Sequence, residues 1–162
     1  MNYEERKREL LAEGYEGFVS VKQLMSDCSL IPNGKGIYYV LRKDASTPVF
    51  LEKGCGGTHK GKNPNVPIEE LKKEWIDGEA VVYIGKTDDS LSRRIGTYLK
   101  FGRGEKAAHW GGRYIWQLKD AYDLVFCWKV LPNDSNAENV EKDLLERFRE
   151  EKGCRPFANL RG

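Results

Sequence analysis

Two short apolar runs constrain this chain more than anything else in it: Gly36-Ile-Tyr-Tyr-Val-Leu41 and Ala80-Val-Val-Tyr-Ile-Gly85. Both are rich in β-branched and aromatic residues and bounded by glycine or charge, which predicts strands over 36–41 and 80–84. A glycine at a strand end lets another backbone or a phosphate come close, and the tyrosine nearby offers a phenol at the sheet edge. A third run, 124–131, predicts another strand.

Around these strands the chain reads as one domain, 1–162, long enough to bury a core. Hydrophobic residues make up 40% and charged residues 32%, which excludes a disordered chain and leaves no run near the ~18 apolar residues of a membrane span. The start, Met1-Asn-Tyr-Glu-Glu, carries no apolar leader, so the expected compartment is cytoplasmic. Cys28, Cys55, Cys127 and Cys154 stand singly, as reduced thiols do, although Cys55 and His59 together offer half a zinc site. The net charge of +2 says little about partners, but the stretch from Lys86 to Arg113 is locally basic. Arg93, Lys100, Arg103, Lys106 and Arg113 are its candidates for contact with a phosphate backbone, against the alternative of an ordinary solvated surface.

Residues 1–30 are expected as a helical extension, with a charged helix over 2–13 and a short helix after Ser20. The 42–79 stretch is an insertion between the first two strands. Its Gly-rich middle, from Lys53 to Pro64, is expected as a basic loop, either a plain surface insertion or a flap that touches nucleic acid. A helix follows Pro67. Ser90 is placed to cap a helix through about Lys100, and Ser135 with Glu138 forms a capping-box pattern for the last helix, which Gly153 ends.

At about 100° per residue, Leu91, Ile95, Tyr98 and Leu99 share one face of the Ser90 helix. Arg94 lies at the rim of that face, one turn from Tyr98, whereas Arg93 points away. In the last helix, Val140, Leu144, Leu145 and Phe148 define the buried side. Glu141 falls within that arc and Glu146 nearly opposite. A carboxylate there is costly unless it is paired or bound to a metal.

Two strand triplets, a helix with arginine and tyrosine one turn apart, and a late helix with a core-facing glutamate together resemble the GIY-YIG nuclease family. The resemblance implies an α/β fold in the α+β sense: a small, mainly antiparallel three-stranded sheet flanked by helices. It implies hydrolysis of phosphodiester bonds, with DNA expected over RNA, and one Mg²⁺ (or Mn²⁺) per site held by Glu141. Arg94 matches the family's essential arginine and Tyr98 its partner one turn on. Tyr83 matches the phenol near the attacking water, Tyr38 its network partner, Lys86 a common lysine, and Asn159 the closing asparagine. The Tyr38 and Tyr83 hydroxyls are expected to open on one cleft. His109 stands outside the family's histidine position, and both catalysis and aromatic packing remain open for it. A homodimer or a protein partner could supply targeting. The alternative class is a non-catalytic nucleic-acid- or protein-binding module on the same fold.

Overall fold

Four strands, β1 (Glu16–Ser20), β2 (Gly36–Leu41), β3 (Val81–Thr87) and β4 (Val125–Val130), form one antiparallel sheet in the order β1-β4-β2-β3. The computed structural model describes residues 1–160. Around the sheet lie helices α1 (Tyr3–Ala12), α2 (Val21–Ser26), α3 (Ile68–Glu74), α4 (Leu91–Gly102) and α5 (Ala137–Lys152), with 3₁₀ turns at Arg113–Gln117 and Ala121–Asp123.

The sheet has one strand more than the three expected. β1 escapes sequence reading because its alternation is broken. Gly17 and Phe18 both have positive φ (99° and 58°), and the register to β4 shifts between Gly17 and Val19. Residues 1–30, expected as a helical extension, therefore add an edge strand to the sheet as well as α1 and α2.

Alternation along the central strands divides the core in two. On one face Tyr38, Val40, Tyr83, Phe126 and Trp128 pack with Leu91, Ile95, Tyr98 and Leu99 of α4 and with Trp116. On the other, Ile37, Tyr39, Leu41, Ile84 and Cys127 meet Leu10 of α1 and Phe148 of α5. Every residue of β2 is buried. Burying one large apolar side chain contributes roughly 1.5–3 kcal/mol, so covering both faces of β2 is the main organising force. β3 lies at the sheet edge, and there α5 on one face comes near α4 on the other.

The two signature glycines are required by packing. A Cβ on Gly36 would lie 2.1 Å from the Lys129 carbonyl oxygen, and one on Gly85 would lie 2.3 Å from Cζ of Tyr38, its cross-strand neighbour. No side chain fits either space.

Two local expectations change. Asn136, not Ser135, caps α5, its side chain accepting from Asn139 N at 3.0 Å, while the Ser135 carbonyl accepts from Lys35 Nζ. Gly153 ends the helix in the left-handed region at φ 80°. The insertion's glycine loop is stitched down. Cys55 N donates to Trp116 O (3.0 Å), Gly57 N to Phe101 O (2.7 Å), and Ala107 N to Thr58 O (3.2 Å). The buried Gln117 side chain accepts from Val66 N and donates to Leu51 O and Val66 O. These bonds join residues 51–66 to the last turn of α4 and the segment after it, a pairing that no local sequence signal announces.

Candidate active site

Four aromatic rings from four segments meet under the edge of β3. Antiparallel pairing sets Val40 opposite Tyr83 and Tyr38 opposite Gly85. The Tyr38 and Tyr83 rings therefore share a face, with centroids 6.1 Å apart. Tyr98 of α4 and His109 of the following loop complete the cluster, stacked with centroids 3.7 Å apart and planes 5° from parallel. The Tyr98 hydroxyl donates to the Gly112 carbonyl at 2.5 Å, and the Tyr38 hydroxyl lies 2.8 Å from His109 Nε2.

The expectation that both signature phenols open on one cleft holds for only one of them. Tyr83 lines a cleft of about 480 Å³ together with Gly111, Glu141, Glu146, Arg149 and Asn159. Tyr38 is wholly buried beneath it. Burial, with the Tyr83 phenol beside it, raises the Tyr38 pKa well above the ordinary tyrosine value. Tyr83 is pushed up to about 12, first by burial and then by the Glu141 charge, with Arg94 and the Tyr38 hydroxyl acting against the rise. Both are neutral phenols at physiological pH.

Arg94 is half-buried, and its Nη1 donates to Ala108 O at 2.9 Å, which ties α4 to the loop carrying His109. Its charge lowers the pKa of Tyr38, Tyr83, Tyr98, His109 and Glu141 alike, so its field reaches the whole cluster. Arg93, by contrast, is exposed and forms an i,i+4 ion pair with Asp89.

Glu141 enters from α5. It is half-buried, and it takes part in no ion pair or side-chain hydrogen bond among the described residues. Burial raises its pKa, and Lys86 and Arg94 pull against that rise. Lys86 itself pairs with Asp88 at 3.0 Å. Glu146, expected on the opposite side of the helix, also borders the cleft, but as an exposed residue at its rim. Arg149, which sequence reasoning passed over, lines the same wall. The 141-145-149 spacing, two helical turns of one face, was the signal that could have found it.

Asn159 acts on backbone. Its Oδ1 accepts from Ile84 N at 3.0 Å and its Nδ2 donates to Ile84 O at 2.9 Å, so one side chain satisfies both free groups of the edge strand between Tyr83 and Gly85.

The cations of the 86–113 stretch divide by commitment. Lys100 and Lys106 are exposed, and Arg103 donates to Met25 O at 2.5 Å. Arg113 lies 4.2 Å over the Trp110 ring, and its Nη1 donates to Trp110 O. Cys55 Sγ donates to Trp116 O at 3.6 Å, and the His59 ring faces Trp110. No cluster of three or more metal-ligating side chains occurs among the described residues.

The family model described as the GIY-YIG catalytic domain matches residues 74–153. With the antiparallel α+β fold agreeing, the chain belongs to the GIY-YIG nuclease family. The matched segment begins after β2, so the Gly36-Ile37-Tyr38 strand is joined to it by sheet pairing, across the insertion. The search of curated proteins and that of solved structures gave no match. The family is one of nucleases acting on nucleic acid, and its members generally use a divalent metal ion. No helix among the described residues is long and apolar enough to cross a membrane.

Proposed function

We propose that this chain is a metal-dependent endonuclease that hydrolyses phosphodiester bonds, with DNA as its preferred substrate, and that the Tyr83–Glu141 cleft is its active site. The observation that carries the reading is Glu141: a half-buried carboxylate with no ion pair or side-chain hydrogen bond among the described residues, beside a neutral phenol and within the field of Arg94 and Lys86. An unpartnered carboxylate in such a position costs folding free energy and calls for a ligand.

The donor set fits one hard divalent cation. A single carboxylate suits Mg²⁺, which keeps most of its waters and takes phosphate oxygens for the rest, and Glu141 would hold it. Such an ion supplies Lewis-acid polarisation of the phosphate and stabilisation of the leaving oxygen. Arg94 offsets the negative charge that builds on the phosphate during attack. Tyr83, holding its proton at neutral pH, orients the attacking water through its oxygen rather than by ionising. Lys86 adds positive charge at the cleft, Asn159 keeps the Tyr83–Gly85 backbone in place, and Tyr98 braces the loop that closes the floor. The exposed Lys100 and Lys106 suit contact with the substrate backbone beyond the cleft. Arg93, Arg103 and Arg113 are already engaged by Asp89, by the Met25 carbonyl and by Trp110 and contribute less.

The test is a nicking assay on plasmid, branched and single-stranded DNA, and on RNA, with and without Mg²⁺ or Mn²⁺. Cleavage that EDTA abolishes and Arg94→Ala removes supports the reading. Tight binding without cleavage on every substrate and metal would refute it in favour of a binding module.

A further inference from the structure

His109 is buried to 0% exposure, and its Nδ1 has no hydrogen-bond partner among the described residues, while Nε2 lies 2.8 Å from the Tyr38 hydroxyl. The ring has three possible states. The imidazolium would be a buried cation near Arg94 with one N–H unpaired; burial first, and the Arg94 charge second, hold the pKa well below the ordinary histidine range. The neutral form protonated on Nδ1 would leave a buried N–H with only the residue's own backbone carbonyl near it and no hydrogen bond of good geometry, which native proteins rarely tolerate. The neutral form protonated on Nε2 strands only a lone pair and gives the N–H to Tyr38 Oη.

That choice has a directional consequence. If His109 donates to Tyr38, the Tyr38 proton cannot point back at the imidazole. The ionisable groups facing the pair are Tyr98 and Arg94 from α4, Tyr83 from β3 and, through its charge on both signature phenols, Glu141 from α5. Arg94 is a donor only, and its guanidinium too is directed at the Tyr38 oxygen. Tyr98 donates to Gly112 O and keeps its lone pairs, but the Tyr38 hydroxyl lowers the pKa of Tyr83 through a hydrogen bond and has no such effect on Tyr98. Tyr83 is therefore the acceptor the cluster favours, and it is also the phenol on the cleft.

We infer that His109 is a positioning residue. Neutral and protonated on Nε2, it donates to Tyr38 Oη and thereby turns the Tyr38 O–H toward the Tyr83 hydroxyl, which sets the orientation of the phenol that faces the attacking water. The stack on Tyr98 holds the imidazole plane, and the Arg94–Ala108 bond holds its backbone. This inference rests on the nuclease reading for its functional meaning, but the hydrogen-bond direction can be measured without any activity.

The experiment uses the full-length chain labelled with ¹⁵N, in which His59 is the only other histidine and is assigned by a His59→Gln variant. Long-range ¹⁵N–¹H correlation reads the tautomer, and Nε2 protonation that persists unchanged from pH 8 down to the onset of acid unfolding is expected. An Nδ1-protonated ring, or one that titrates as an ordinary histidine in the folded protein, overturns the inference. Two variants separate hydrogen bonding from stacking. His109→Phe keeps a ring against Tyr98 without the donor, and it should lower kcat about tenfold at unchanged KM. His109→Gln, whose amide NH₂ reaches as Nε2 does, should restore most of that loss. Tyr38→Phe should match His109→Phe, and the double variant should fall no further. Equal loss in the Gln and Phe variants, or no loss in His109→Phe, refutes the role. If the wild type cleaves nothing, the nuclease reading fails alone, and the tautomer still decides the hydrogen-bond direction.

Discussion

Replacing Glu141 by glutamine separates a functional carboxylate from a structural one. Among the described residues Glu141 makes no salt bridge or side-chain hydrogen bond that Gln would break, and burial raises its pKa. The sign follows from linkage. A carboxyl whose folded pKa is raised destabilises the folded state in full above that pKa; the cost shrinks as pH falls from the folded value to the unfolded one and is gone below it. Glutamine removes the charge and keeps the shape, so Glu141→Gln should melt at or above the wild-type temperature at pH 7. The cost falls on metal binding instead. A unit charge 4 Å from a monovalent ion is worth about 4 kcal/mol at an effective dielectric of ~20, and a divalent ion doubles that. Even the lower figure corresponds to about a thousandfold in affinity. Calorimetric Mg²⁺ or Mn²⁺ titration in the presence of a non-cleavable substrate should therefore lose its signal, and nicking should fall by at least that factor. Glu146→Gln, exposed at the rim, should stay within about 0.5 kcal/mol of neutral in stability and cleave normally. If Glu146→Gln is the inactive variant and Glu141→Gln cleaves, the metal belongs to the rim and the Glu141 argument is wrong. If Glu141→Gln is markedly destabilised, the carboxylate has a structural partner.

Gly85→Ala puts a methyl into the Tyr38 ring, 2.3 Å from Cζ, and should cost at least about 1–3 kcal/mol, read as a fall in the urea midpoint at unchanged m; an unchanged midpoint would mean that β2 and β3 do not pair in this register. At alkaline pH the buried Tyr38, Tyr83 and Tyr98 keep their protons after the unfolded chain has lost its own. Stability should fall above pH 10, by up to about 1.4 kcal/mol per pH unit for each phenol, through the Tyr83 value near 12. Absorbance titration of all the tyrosines near pH 10 without unfolding would refute the packing of the cluster. Charge reversal at Lys106 should weaken binding to DNA and lower the salt slope by about 0.7–0.9 per lost phosphate contact while leaving the melting temperature unchanged; an unchanged slope would take this residue out of the interface.

Helical phase and strand composition made much of this protein legible in one dimension. Both signature strands, the third strand, the boundaries of α4 and α5 to within a residue or two, and the separation of Arg94 from Arg93 follow from periodicities that act over a few residues. β1 was not legible, because two positive-φ residues and a bulge erase its alternation, and only pairing with β4 makes it a strand. The glycine loop of the insertion, expected as a basic surface loop, is fastened by bonds to residues forty to sixty positions away, which local composition cannot encode. The phenols show the same division. Sequence paired Tyr38 with Tyr83, but burial depth depends on what covers each ring. His109, from a loop without periodicity, takes up the Tyr38 hydroxyl below, while only Tyr83 reaches the cleft. Residue type and spacing along the chain decided which side chains were available for chemistry. The three-dimensional packing of α4, α5 and the loop between them against the edge of β3 decided which of these share a dielectric environment and a hydrogen-bond chain, because both depend on distances through space.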